Sequence, residues 1–274
     1  MLSISFFLLL GIPFLNGFGP VPFTVDISLG QEDTSWISAA AHNNMGSYLA
    51  SGDFNGDGVQ DLLTGTSEGP QYTEVYVYCG RRTIPHFIDF QSVQPDVMLI
   101  ERDLGDSMGY SVAAGDVNGD GFDDIIIGAP FGCGPNNDCS TMLEAGEVYI
   151  IYGSPSLPKQ IDLRTQNPDV IIYGPGPLRD MGLDIKTADT NNDGIEDLLI
   201  SSWEKFAPFR SLLYIVYGSK SLPPVTDLAI PGTASVIYGP ADVATNLFVI
   251  GTGDFNGDGF TDIFLGSPSP TLPS

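Results

Sequence analysis

Apolar and polar positions in this chain alternate in short runs that recur in the same order. Four runs are dense in aliphatic residues and bounded by Gly, Pro or Ser: DLLTG (61–65), DDIIIGAP (123–130), EDLLIS (196–201) and TDIFLGSP (261–268). Each follows a Gly-containing run: GSYLASGD (46–53), GYSVAAGD (109–116), GLDIKTAD (182–189) and FVIGTGD (248–254). A third run follows in three of the units, as EVYVYCG (74–80), GEVYIIYG (146–153) and SLLYIVYG (211–218). A fourth appears as DVMLIER (96–102), DVIIYGP (169–175) and ASVIYGP (234–240). Runs of this length, rich in β-branched and aromatic residues and punctuated by turn formers, predict strands, and no run after the N-terminal segment keeps a helical period. The chain therefore reads as all-β. Four short antiparallel strands repeated in series predict the blades of a β-propeller.

Between the first and second strand of every unit stands nearly the same nonapeptide: DFNGDGVQD (53–61), DVNGDGFDD (116–124), DTNNDGIED (189–197) and DFNGDGFTD (254–262). Asp, Asn, Asp and Asp occupy positions one, three, five and nine, and Gly occupies position six. Hard oxygen donors at this spacing around a sharp turn suit Ca²⁺. The expected ligands are Asp53, Asn55, Asp57, Asp61 and the Val59 carbonyl in the first loop, and Asp116, Asn118, Asp120, Asp124 and the Phe122 carbonyl in the second. The third would use Asp189, Asn191, Asp193, Asp197 and the Ile195 carbonyl, and the fourth Asp254, Asn256, Asp258, Asp262 and the Phe260 carbonyl. Up to four calcium ions follow. An EF-hand is excluded, because position twelve holds Thr64, Ile127, Ile200 and Leu265 inside strands, where that motif needs Glu and a helix. Asn-Gly and Asp-Gly also make plain hairpin turns, but a turn does not call for three acids within nine residues.

The run GYSVAAGDVNGDGFDDIIIGAP…GEVYIIYGS resembles the FG-GAP repeat of integrin α-subunit propellers and their microbial relatives. Met108-Gly109 and Met181-Gly182 stand where the Phe-Gly of that repeat would be. Gly128-Ala129-Pro130 is kept in one unit, relaxed to Gly266-Ser267-Pro268 in another and replaced by Ile200-Ser201-Ser202 in a third. The resemblance covers about 46–270. It implies calcium loops on one face of the propeller and a partner at the opposite face, in the loops at 102–108, 131–145 and 203–210. Units at 46–102, 109–175 and 182–240 are complete, and 248–274 is incomplete. The chain is then either a closed four-bladed ring, with SWISAAA (35–41) completing the last blade, or the first part of a seven-bladed one.

The first 19 residues read as a secretory signal peptide, with cleavage expected near Gly17 or Gly19 and residues 20–274 forming the propeller. The protein is accordingly expected outside the cell, or at its surface if the chain is longer. No later segment is apolar enough to cross a bilayer. Acids number 34 against 10 bases, a net charge of −24, which argues against nucleic acid or anionic membrane as partner. Cys133 and Cys139 flank GPNND and are expected to form a disulfide, whereas Cys79 reads as a packed thiol. His42 and His86 lie near no nucleophile motif and read as surface residues, so the chain reads as non-catalytic. Three functions remain open: recognition of an extracellular protein in adhesion, binding of a glycan as a lectin, or service as the accessory propeller of a phospholipase D-like enzyme acting on glycolipid anchors.

Overall fold

The computed structural model describes residues 5–9, 34–38, 48–66, 73–81, 87–89, 94–206, 209–239 and 249–266. Among them every regular element is a strand. Near the N-terminus β1 (Ser5–Leu9) pairs antiparallel with β2 (Thr34–Ser38). Blade one consists of β3 (Tyr48–Gly52), β4 (Asp61–Gly65), β5 (Glu74–Tyr78) and, after the short β6 (Phe87–Asp89), β7 (Val97–Ile100). Blade two repeats this with β8 (Ser111–Gly115), β9 (Asp124–Ala129), β10 (Glu147–Ile151), the short β11 (Gln160–Asp162) and β12 (Val170–Tyr173). Blade three has β13 (Ile185–Ala188), β14 (Asp197–Glu204), β15 (Arg210–Val216), the short β16 (Val225–Asp227) and β17 (Ser235–Tyr238). A further unit begins with β18 (Val249–Gly253) and β19 (Asp262–Gly266), paired antiparallel.

The four strands of each blade fall where the apolar runs place them. The short strands were not foreseen. β11 leaves its own blade and pairs in parallel with β7 of blade one, and β16 likewise pairs with β12 of blade two. β6 adds in parallel to β2, which is therefore joined to β1 and β6; β18 and β19 stand as a two-stranded sheet. The ring completion expected of SWISAAA is thus not among the pairings of the described residues. Ser5–Leu9, inside the expected leader, forms β1, and the expected cleavage points lie outside the described residues.

Packing explains the apolar density. Leu63, Val75, Val77 and Leu99 of blade one meet Ile125, Ile127, Tyr149 and Ile151 of blade two. The opposite face of blade two, Ile126, Val148, Ile150 and Ile172, meets Ile185, Leu198, Ile200 and Tyr214 of blade three. Blade three in turn turns Leu199, Leu213 and Ile215 toward Ile250 of β18. A strand sandwiched on both faces must be apolar at every position rather than at alternate ones, which is why Ile125-Ile126-Ile127 runs unbroken. The blades also touch backbone to backbone. A Cβ on Gly128 would lie 2.3 Å from the Gly182 carbonyl oxygen, and one on Gly65 would lie 2.0 Å from that of Gly109. Glycine at the end of the second strand is what lets the next blade come this close.

Candidate metal centre

Each acidic loop leaves one strand and enters the next at the same end of its blade, and the four share one internal bonding pattern. At position one, Asp53 accepts the Asp57 and Gly58 amides at 3.0 and 2.8 Å. Asp116, Asp189 and Asp254 do the same with Gly121, Gly194 and Gly259 at 2.8, 2.8 and 2.9 Å. At position three the Asn side-chain oxygens accept the position-five amide at 2.8 to 2.9 Å. At position five Asp57, Asp120, Asp193 and Asp258 accept the position-seven amide. The chain curls tightly enough for this through left-handed backbone at positions four and six, as at Gly56 (φ 71°) and Gly58 (φ 80°). The third loop manages the first of these turns with Asn192 (φ 59°), a residue that tolerates that conformation.

Position nine has a different place from the other three. Asp61, Asp124 and Asp197 are buried at the first residue of the second strand. One oxygen of each accepts the position-two amide of its loop, at 3.1, 3.0 and 3.0 Å. The other accepts the amide of the glycine after the third strand, Gly80, Gly153 or Gly218, at 2.7, 3.0 and 3.0 Å. These aspartates bracket loop to blade. In the fourth loop Asp262 holds the Phe255 amide at 2.9 Å. Each oxygen of Asp61 and Asp124 accepts a single amide and keeps a second lone pair, whereas Asp197 also accepts the Thr190 hydroxyl.

The charge within these loops is uncompensated. Among the described residues no ion pair reaches any of the twelve aspartates at positions one, five and nine. Burial, opposed by the Gly153 and Val117 amides and reinforced by the charges of Asp120 and Asp116, pushes Asp124 up to about 7. Burial also raises Asp61, with Asp57 and Asp53 adding to it. Side-chain acids alone do not complete a cage: among the described residues no group of three or more His, Cys, Asp or Glu is gathered closely enough to hold a metal. The donor set fits a hard dication only with the Asn oxygens and the position-seven carbonyls included, as the spacing requires.

The opposite ends of the blades carry a second polar cluster that the spacing arguments missed. Here the loops expected to face a partner pack against one another. Lys205 bridges Glu144 and Asp180 at 2.7 and 2.8 Å, and Arg179 and Arg210 both reach Glu204, at 2.8 and 3.3 Å. Leu104, Leu143, Phe206 and Phe209 are exposed around it. Cys133 and Cys139 are joined as expected, with Cα atoms 4.9 Å apart, and pin the loop that carries Glu144. Cys79 is a free, half-buried thiol. His42 and His86 lie outside the described residues.

Four-stranded sheets stacked in series, each opened by an acidic loop at one end, define a β-propeller built from repeats. The repeat is the FG-GAP repeat, whose family model matches residues 45–78, 108–151 and 248–271. The chain is an FG-GAP repeat protein similar to integrin α subunits. It is 27% identical to integrin alpha-PS2 of Drosophila melanogaster over 260 residues, 92% of this chain and 18% of that protein. It is 26% identical to integrin alpha-5 of Xenopus laevis over 256 residues, covering 90% and 22% of the two chains. With the phosphatidylinositol-glycan-specific phospholipase D of Homo sapiens it shares 31% identity over 206 residues, 72% of this chain and 23% of that enzyme. The chain thus spans about a fifth of the length of these relatives.

Proposed function

We propose that the chain is a calcium-binding propeller, working outside the cell or at its surface, that recognises another protein and carries out no chemistry of its own. The observation that carries the calcium reading is the set of twelve aspartates at loop positions one, five and nine with no cationic partner among the described residues, already hydrogen-bonded into the shape of four like loops. Bound Ca²⁺ would supply charge neutralisation and a fixed point for each loop; the chain's own residues orient the donors and tie each loop to its blade. The Cys133–Cys139 disulfide suits an oxidising compartment. Recognition would fall to the end opposite the loops, where Leu104, Leu143, Phe206 and Phe209 are exposed around charged side chains.

A second reading has its own support. Similarity to a phospholipase D over 72% of this chain fits a propeller that serves a catalytic domain elsewhere in a longer protein. The described residues include no helix long and apolar enough to cross a membrane.

The test is equilibrium dialysis against Ca²⁺ with a thermal melt in calcium and in EDTA. Up to four ions bound per chain and a melt raised by calcium are expected. No bound calcium and coincident melts would overturn the metal reading. Cleavage of a glycolipid-anchored protein by the natural full-length product, absent from this chain alone, would favour the second reading.

A further inference from the structure

The acidic loops do not stand alone: each of the first two is built partly from the loop of the next blade. We propose that Asp123, at position eight of the second loop, is a positioning residue for the cation of the first loop. This rests on the calcium reading above and adds to it that the first site is completed by a residue of the second loop.

Position eight is not part of the expected ligand set, yet its side chain reaches backward across the blade junction. The Asp123 carboxylate accepts the amide of Asp53, the first ligand of loop one, at 2.7 Å. Its own amide donates to the Asp53 carbonyl at 3.3 Å, and Ser154 donates to the Phe54 carbonyl at 2.9 Å. The position-seven side chain completes the contact: a Cβ on Gly56 would lie 2.3 Å from the Phe122 ring. Loop one is thus gripped at positions one, two and four by blade two.

The second junction repeats the backbone contacts of the first but not the position-eight side-chain one, since Glu196 Oε2 is buried against Gly115 with no hydrogen-bond partner. The Glu196 amide donates to the Asp116 carbonyl at 3.1 Å, and Ser219 donates to the Val117 carbonyl at 3.0 Å. Ile195 takes the place of Phe122, 3.0 Å from a Cβ on Gly119. At the third junction the parts change. Position four is Asn192, so a side chain stands where the others leave room, position eight is Thr261, and Phe260 is 54% exposed. Loop four should therefore load independently of loop three.

A group that orients a ligand without touching the ion typically changes metal affinity by about 10- to 100-fold when removed. The position-six amides of Gly58, Gly121, Gly194 and Gly259 each donate to the position-one carboxylate, so their NMR resonances in ¹⁵N-glycine-labelled protein report each site separately. Under Ca²⁺ titration, Asp123→Ala should weaken the Gly58 transition by about tenfold or more while Gly121, in the loop that carries the substitution, keeps its midpoint. Asp123→Asn, which keeps an acceptor oxygen, should restore most of the Gly58 affinity. Equal loss at Gly58 and Gly121, or an Asn variant as weak as Ala, would overturn the proposal. If no glycine amide responds to Ca²⁺ in the wild type, the calcium reading itself fails. The coupling is then read without metal: Asp123→Ala should speed hydrogen exchange at the Asp53 amide and spare Asp116, and unchanged exchange would refute it.

Discussion

At the scale of single residues, aspartates in this molecule do two kinds of work. Those at loop positions one and five are partly or fully exposed, accept amides only within their own loop and have no cationic partner among the described residues. Asp120→Ala should therefore lower the melting temperature in saturating calcium and leave the melt in EDTA almost unchanged. At a hundredfold excess over Kd, one lost site removes about 3 kcal/mol. Equal losses in both conditions would show that Asp120 acts through the apo fold instead. Asp106 is of the other kind: buried, with one carboxylate oxygen lacking a hydrogen-bond partner. Burial first, then the charges of Glu147, Asp103 and Glu101, push it from 3.8 up to about 8, against the pull of Arg102. A raised carboxyl binds its proton more tightly in the folded chain. Its contribution is then full in acid, and is lost as pH rises from about 4 through about 8. At fixed saturating calcium, Asp106→Asn should flatten the fall of melting temperature between pH 5 and 9; an unchanged slope would exclude Asp106 as its source.

At the scale of strands and loops, the decisive contact is the bracket from position nine to the glycine after the third strand. A Cβ at Gly153 would lie 2.3 Å from the Asp123 carbonyl oxygen and 2.7 Å from the Phe122 side chain. Gly153→Ala should cost about 2 kcal/mol, seen as a lower urea midpoint at unchanged slope. A neutral result would mean that the junction gives way without loss. The apolar runs placed all four strands of three blades, because a strand buried on both faces cannot disguise itself. The loops were legible for a like reason, since oxygen donors at fixed spacing are a local property of nine residues. Position eight was not, because what Asp123 touches lies 70 residues away in sequence and the nonapeptide does not reveal its neighbour. The short parallel strands were hidden by their three-residue length. Their one signal is the recurring pair Ile88-Asp89, Ile161-Asp162 and Thr226-Asp227, set about ten residues before each fourth strand.

At the scale of the whole molecule, charged side chains tie adjacent blades together at the end opposite the loops. Lys205 of blade three holds Glu144 from blade two and Asp180 from the junction between them. Lys205→Met would leave Asp180, 3% exposed, without its cation. Partial solvent access to Lys205 reduces the usual cost of breaking a buried pair to about 2–3 kcal/mol, measurable by chemical denaturation. No loss would mean that solvent takes over the pairing. The parallel strands add a direction to this assembly. The outer edge of β7 is covered by β11 from the next blade, and that of β12 by β16 from the one after. While the chain emerges from the ribosome, each finished blade waits some sixty residues with a bare β-edge, until its successor has been made and straps it down. During synthesis it is always the newest blade that is the adhesive one, and a pause or premature stop would leave that edge open to pair with another chain.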